Sequence, residues 1–190
     1  MEDLWVWVPG TTGDANTKSI YKFLRGETKQ DWTSWKKMWE LPVAPRVRGF
    51  LWKLFREQVP TWEYLYGLRC GPKMNCEMCG IFPETGTHLF YACRFALEMW
   101  VSLARELEEE QWQDFRVGSE WITQTWSMDQ ARDTLIKTAI AATIWEIWKA
   151  RNARVFQDRR IGAYAIARKA AALAQEYMQV AEVARRPVNL

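Results

Sequence analysis

Three of the four cysteines and the single histidine of this 190-residue chain fall within 18 residues, in the order Cys76-x2-Cys79-x8-His88-x4-Cys93. Thiolates and imidazole are the ligands that Zn²⁺ takes in a tetrahedral structural site. Cys-x2-Cys is the tightest common turn that puts two thiolates on one metal. The pattern therefore predicts a structural Cys3His zinc site made by Cys76, Cys79, His88 and Cys93, with Zn²⁺ as the cofactor. Two other readings use the same residues: buried cysteines and a core histidine that coincide by chance, or a disulfide. The start Met1-Glu2-Asp3 is unsuited to secretion or organelle import, which weighs against the disulfide and predicts an intracellular protein, nuclear or cytoplasmic. Cys70 could replace His88 as a ligand, but its distance from Cys76 is unusual for a metal knuckle, and it reads as a free thiol.

Catalysis by such a metal is not expected. Four protein ligands close the coordination shell, whereas a catalytic zinc keeps an open position. Cys70 has no second histidine to activate it, no serine elbow is present, and the carboxylates show no arrangement for two-metal chemistry. The chain reads as non-enzymatic, with no small-molecule substrate.

The elements that would position the ligands are almost all helical. Gly80–Gly86 reads as a loop, and Thr87–Ala92 begins a helix delivering His88 and Cys93. Upstream, Leu4–Val8 alternates large apolar residues as a short strand would, so a small N-terminal strand pair is expected. Helices follow at Lys18–Leu24 and from Asp31, where Trp32, Trp35 and Trp39 fall at i, i+3 and i+7. Pro45 suits the first turn of the next helix, which runs to about Gln58. Thr61 starts a short helix through Leu68. Arg94–Glu110 is amphipathic, with Ala96, Met99, Trp100, Leu103 and Leu107 as its stripe. Residues 111–130 form a less regular connection. Thr134–Gln157 is apolar nearly all around near Ile144–Trp148 and should be central. Gly162 separates it from an Ala-rich helix at Ala163–Ala184, with Ile166, Ala170, Leu173, Tyr177 and Val180 aligned. The fold class is mainly α: a helical bundle with a zinc-stabilised loop. Residues 1–160 form the main domain and 161–190 its C-terminal helix and tail.

Composition fits this picture. With 48% hydrophobic residues the chain can bury a real core, and 13 tryptophans supply large buried area or flat stacking surfaces. No apolar run reaches the roughly 18 residues of a membrane span. The net charge of +3 is segregated: residues 1–75 carry 12 basic and 8 acidic side chains, residues 76–130 carry 3 and 10, and residues 131–190 carry 11 and 5. An acidic waist between basic ends directs any phosphate-binding surface to the flanks.

The Pro45 helix gives one flank a specific form. At 100° per residue, Val47, Phe50, Leu51, Leu54 and Phe55 share an apolar arc. Arg46, Arg48, Lys53 and Arg56 lie opposite, with Trp52 in their midst. Such a face could grip a phosphate backbone while Trp52 stacks on a base; the plainer reading has Trp52 packed under a neighbour and the charges solvated. Arg151 and Arg154, with Arg159 and Arg160, form a second basic patch.

These motifs, taken in order, resemble the reverse-transcriptase zinc-binding domain of plant non-LTR (LINE-type) retroelements. The likeness runs through Asp3-Leu4-Trp5-Val6-Trp7, Lys18–Tyr21, Trp35…Trp39, Ala44–Trp52, Pro60-Thr61 and Gly67-Leu68. It peaks at Cys76-Glu77-Met78-Cys79, Glu84–Phe90 and Cys93, and ends at Met99-Trp100. Trp145–Asn152 and Val155-Phe156 resemble the segment joining this domain to a ribonuclease H domain. Two departures stand out: Gly13–Thr17 replaces a strand-like stretch, and Glu77 replaces a frequent proline. The resemblance implies zinc ligation by the same four residues and an ancestral role in handling RNA or target DNA. With neither a polymerase nor a ribonuclease H segment in the 190 residues, the chain reads as a freestanding, domesticated copy. Two functions are expected. The first is nucleic-acid binding, to RNA or single-stranded DNA, mainly through phosphates. The alternative is a protein-interaction module using the helical surface and the C-terminal helix.

Overall fold

The computed structural model describes residue 36, residues 38–107 and residues 131–185. The expected N-terminal strand pair, the helices before residue 36 and the connection 111–130 lie outside the described residues. Within them the protein is helical, as expected, and its only β pairing is an isolated bridge between Asn75 and Pro83.

Helix α1 is Pro45–Phe55, with proline in its first turn, where the missing N–H costs nothing. It stops three residues before the expected Gln58. Pro60 disfavours helical geometry at the residue before it. The chain turns off through a left-handed Glu57 (φ 55°), and the Gln58 amide bonds back to the Lys53 carbonyl at 2.8 Å. Helix α2, Trp62–Gly67, is capped by Thr61, whose hydroxyl accepts the Tyr64 amide at 3.3 Å. Helix α3 is Arg94–Glu106, α4 is Ala131–Gln157 and α5 is Ala163–Arg185.

The long α4 is central, as its all-round apolar stretch predicts. Ala139–Ala142, Ile144 and Ile147 are all buried. It packs against α5 and α1, and α5 also lies along α3. The α1–α4 contact is aromatic: Phe50 stacks on Trp148 at 5.6 Å and meets Trp145 and Phe90 edge-on at 5.3 and 6.0 Å. Trp100 is buried in α3, and its indole N–H donates to the Phe90 carbonyl at 2.8 Å. Trp100, Trp145 and Trp148 thus serve packing.

The stripe on α5 is rotated from the expected one. Ile166 and Ala170 are buried, but Ala163, Ala167, Ala171 and Ala174 complete the face, while Leu173 and Tyr177 are half-buried and Val180 is exposed. Interaxial distance shrinks with the side chains at the contact. An alanine face therefore lets α5 lie close to α3 and α4. The apolar side expected to await a partner is mostly filled from within the chain. Among the described residues, no helix is long and apolar enough to cross a membrane.

Candidate metal centre

Cys76, Cys79, His88 and Cys93 converge, with their ligand atoms all within 4.8 Å of one another. The Cys76 and Cys93 sulfurs are 3.9 Å apart, and Cys79 Sγ is 3.3 Å from His88 Nε2. Zinc bonds of ~2.3 Å to sulfur and ~2.0–2.1 Å to nitrogen, set at tetrahedral angles, imply sulfur–sulfur edges of about 3.8 Å and sulfur–nitrogen edges of about 3.5 Å. The donor types, their number and these two separations fit Zn²⁺. When bound, the ion would cross-link the four side chains.

Three local structures deliver the ligands. The first is the Cys76–Cys79 turn: the Gly80 amide donates to the Cys76 carbonyl at 2.7 Å, and Gly80 takes φ +73°, a left-handed conformation that disfavours any residue with a Cβ. The Met78 and Cys79 amides are directed at the Cys76 sulfur. The second is a π-helical turn, His88–Ala92, where an ordinary helix is the sequence expectation. In an α-helix residues five apart point about 140° apart around the axis. The wider turn, closed by the Cys93 amide on the His88 carbonyl at 2.7 Å, returns Cys93 toward the side of His88. Thr85 starts this turn by accepting the His88 amide on its hydroxyl at 2.8 Å. The third is the start of α3, for which Cys93 is the N-cap. Anions are stabilised at a helix N-terminus.

The electrostatics divide the two buried sulfurs. The hydrogen bond with Cys93, followed by burial, pushes the Cys76 thiol well above its ordinary range. Cys93 is shifted down, first by the hydrogen bond from Cys76 and further by the Phe95 and Ala96 amides, against the opposing effect of burial. Partial burial lowers the His88 pKa below 6.5, with the Glu84 charge opposing. The imidazole is therefore neutral near pH 7, as ligation requires. Cys70 stands outside the cluster; it is exposed, and its thiol donates to the Leu68 carbonyl.

Behind the ligands lies a residue that the sequence reading passed over. The Glu84 carboxylate is fully buried and accepts from Arg151 Nε at 3.1 and 3.2 Å and from Arg151 Nη2 at 2.7 Å. It also accepts the Trp62 amide at the start of α2 and, at 3.5 Å, the Glu77 amide inside the Cys76–Cys79 turn. The Arg151 guanidinium sits 5.1 Å from the Trp62 ring and 5.2 Å from the Trp148 ring. One buried ion pair thus joins the metal loop, α2 and α4. Arg151, expected in a surface basic patch, is 2% exposed and faces this carboxylate, so it is not available to a phosphate. Its position has a sequence signal: Ile144, Ile147, Trp148 and Arg151 share one face of α4, which sets an arginine in an apolar stripe.

The remaining basic candidates lie on α1 and at the end of α4. On α1, Arg46 and Lys53 are exposed, and Arg56 at its C-cap is half-buried with its guanidinium 5.4 Å from the Trp52 ring. Arg48 is half-buried and donates to the Trp39 carbonyl at 2.8 Å. Trp52 is itself half-buried. On α4, Arg154 is half-buried, and Arg159 and Arg160 just beyond are exposed.

Residues 16–100 match the family described as zinc-binding in reverse transcriptase. Over these residues the chain is similar to that family. The matched segment contains all four ligands, α1, α2 and the first half of α3; α4 and α5 lie beyond it. An Arabidopsis thaliana protein with the name "Putative ribonuclease H protein" is 27% identical over 124 residues, 64% of this chain. The aligned stretch spans 20% of that relative's length. No solved structure matches the chain.

Proposed function

We propose that the protein is a non-catalytic zinc-stabilised module that binds RNA or single-stranded DNA through phosphate contacts. The observation that carries this reading is the two-sided α1. Val47, Phe50 and Leu51 are buried against the bundle, while Arg46 and Lys53 stand in solvent on the same helix as Trp52, with Arg56 at its C-cap. The helix is held by its apolar side, so the charged side is free to follow a backbone. Arg154 on α4, with the exposed Arg159 and Arg160 just beyond it, supplies further positive charge. The likeness to a protein whose name speaks of ribonuclease H supports the same direction.

Phosphate binding releases counterions, so affinity should fall steeply with salt and show little sequence preference. The expected slope is about −0.7 per neutralised phosphate for a single strand. Titration of the purified protein with labelled single-stranded RNA and DNA at low and moderate salt tests this. Arg46→Glu with Lys53→Glu should weaken binding on the order of tenfold or more at low salt and flatten the slope. Absence of binding at low salt would end the reading.

A protein partner is the second reading. It rests on the outer end of α5, where Val180 and Val183 are 62% and 66% exposed.

A further inference from the structure

The tip of the metal loop carries side chains that neither the ligand cluster nor the core uses. Ile81 is 69% and Phe82 58% exposed, directly after the Gly80 turn, and Met74 on the opposing arm is also exposed. This tip is braced. Asn75 pairs with Pro83, the Cys76 amide donates to the Phe82 carbonyl at 2.7 Å, and Asn75 Nδ2 donates to the Gly80 carbonyl at 3.2 Å. The Phe82 ring leans on the His88 imidazole at 5.5 Å with a 51° tilt, so a metal ligand supports it from within and the rest faces water. Keeping Phe and Ile in water forgoes the gain that burying their apolar surface would bring.

The charges around the tip indicate what would cover it. Glu77 is the only acidic residue between positions 66 and 83, against two basic ones, Arg69 and Lys73, both exposed. An exposed aromatic ring held on a stiff turn, with exposed cations on the segment leading into that turn, suits the stacking of unpaired bases, because every base offers a π-face and carries its phosphate alongside. A duplex, whose bases are already stacked, has no such face to give.

We infer that the Ile81–Phe82 tip is a stacking platform for an unpaired nucleobase, with Arg69 and Lys73 holding the adjoining phosphates. The inference rests on the nucleic-acid reading above and deepens it: α1 holds backbone, and the metal loop takes a base.

Fluorescence anisotropy with two labelled strands of roughly 12 nucleotides separates these roles, one of oligouridine RNA and one of the same length with abasic residues. Phe82→Ala should lower affinity for oligouridine on the order of 5- to 100-fold, the worth of one stacked base. It should leave the salt slope unchanged, since no charge is lost, and on the abasic strand it should bind like wild type. Phe82→Leu keeps an apolar contact with His88 but has no π-face; it should retain stoichiometric zinc and show the same loss. Wild-type affinity for oligouridine in the zinc-loaded Phe82→Leu protein overturns the platform and leaves the α1 reading standing. An equal loss on the abasic strand also overturns it. No binding of either strand by wild type removes both.

Discussion

Cys79→Ser should unfold at least the segment from about residue 60 to residue 100 and abolish stoichiometric zinc. Between Gly71 and Thr85 the described chain has one isolated β-bridge and a handful of turn bonds, far less than an independent fold needs. Its order comes from fastening at four side chains and at Glu84. Structural zinc contributes about 10–16 kcal/mol of apparent binding energy in small peptides. A whole domain is stable by only about 5–15 kcal/mol. Loss of one thiolate therefore removes an amount comparable to the stability itself. The damage should spread, because His88 and Cys93 flank the π-turn that carries Leu89 and Phe90 into the core. A circular-dichroism melt and elemental analysis of the variant check this; a melt that matches wild type would contradict it. Metal binding should also release protons near pH 7. The hydrogen bond with Cys93 and burial keep Cys76 a neutral thiol without metal, and ligation expels that proton. Zinc affinity should accordingly rise with pH, and a weakly buffered titration should record acid release.

The ligand set was legible because it depends on residue type and short spacing alone. So were the two faces of α1 and the central place of α4, since a period of 3.6 residues reports directly on which side is covered. The π-turn was not legible: five residues from His88 to Cys93 suit an α-helix and a π-helix alike, and only the convergence on one metal distinguishes them. The α5 face was misplaced by one position because hydrophobicity favours Leu173 and Val180, whereas close helix packing favours the alanines beside them. The Glu84–Arg151 pair was hidden by distance. Its partners are 67 positions apart, and nothing periodic joins a loop carboxylate to a helix guanidinium.

That pair supplies the second large effect. Arg151→Ala should cost about 3–5 kcal/mol, because it leaves the Glu84 carboxylate buried without its counter-charge. A carboxylate facing only the Trp62 and Glu77 amides must take up a proton or draw in water, and either outcome loosens the loop against α4. Arg151→Lys should recover only part of the loss. One ammonium replaces the charge but cannot reproduce the three contacts of the guanidinium or its place between two indoles. Glu84→Gln with Arg151→Met removes both charges while the amide oxygen can still accept the Trp62 N–H. The double variant should be more stable than Arg151→Ala, since a neutral pair avoids the desolvation that an orphaned charge incurs. Urea unfolding of the zinc-loaded proteins measures all three. A cost below about 1 kcal/mol for Arg151→Ala would mean that the ion pair is replaceable by solvent. The full cost would show that the zinc-binding segment at 16–100 depends for its stability on a helix outside the family match.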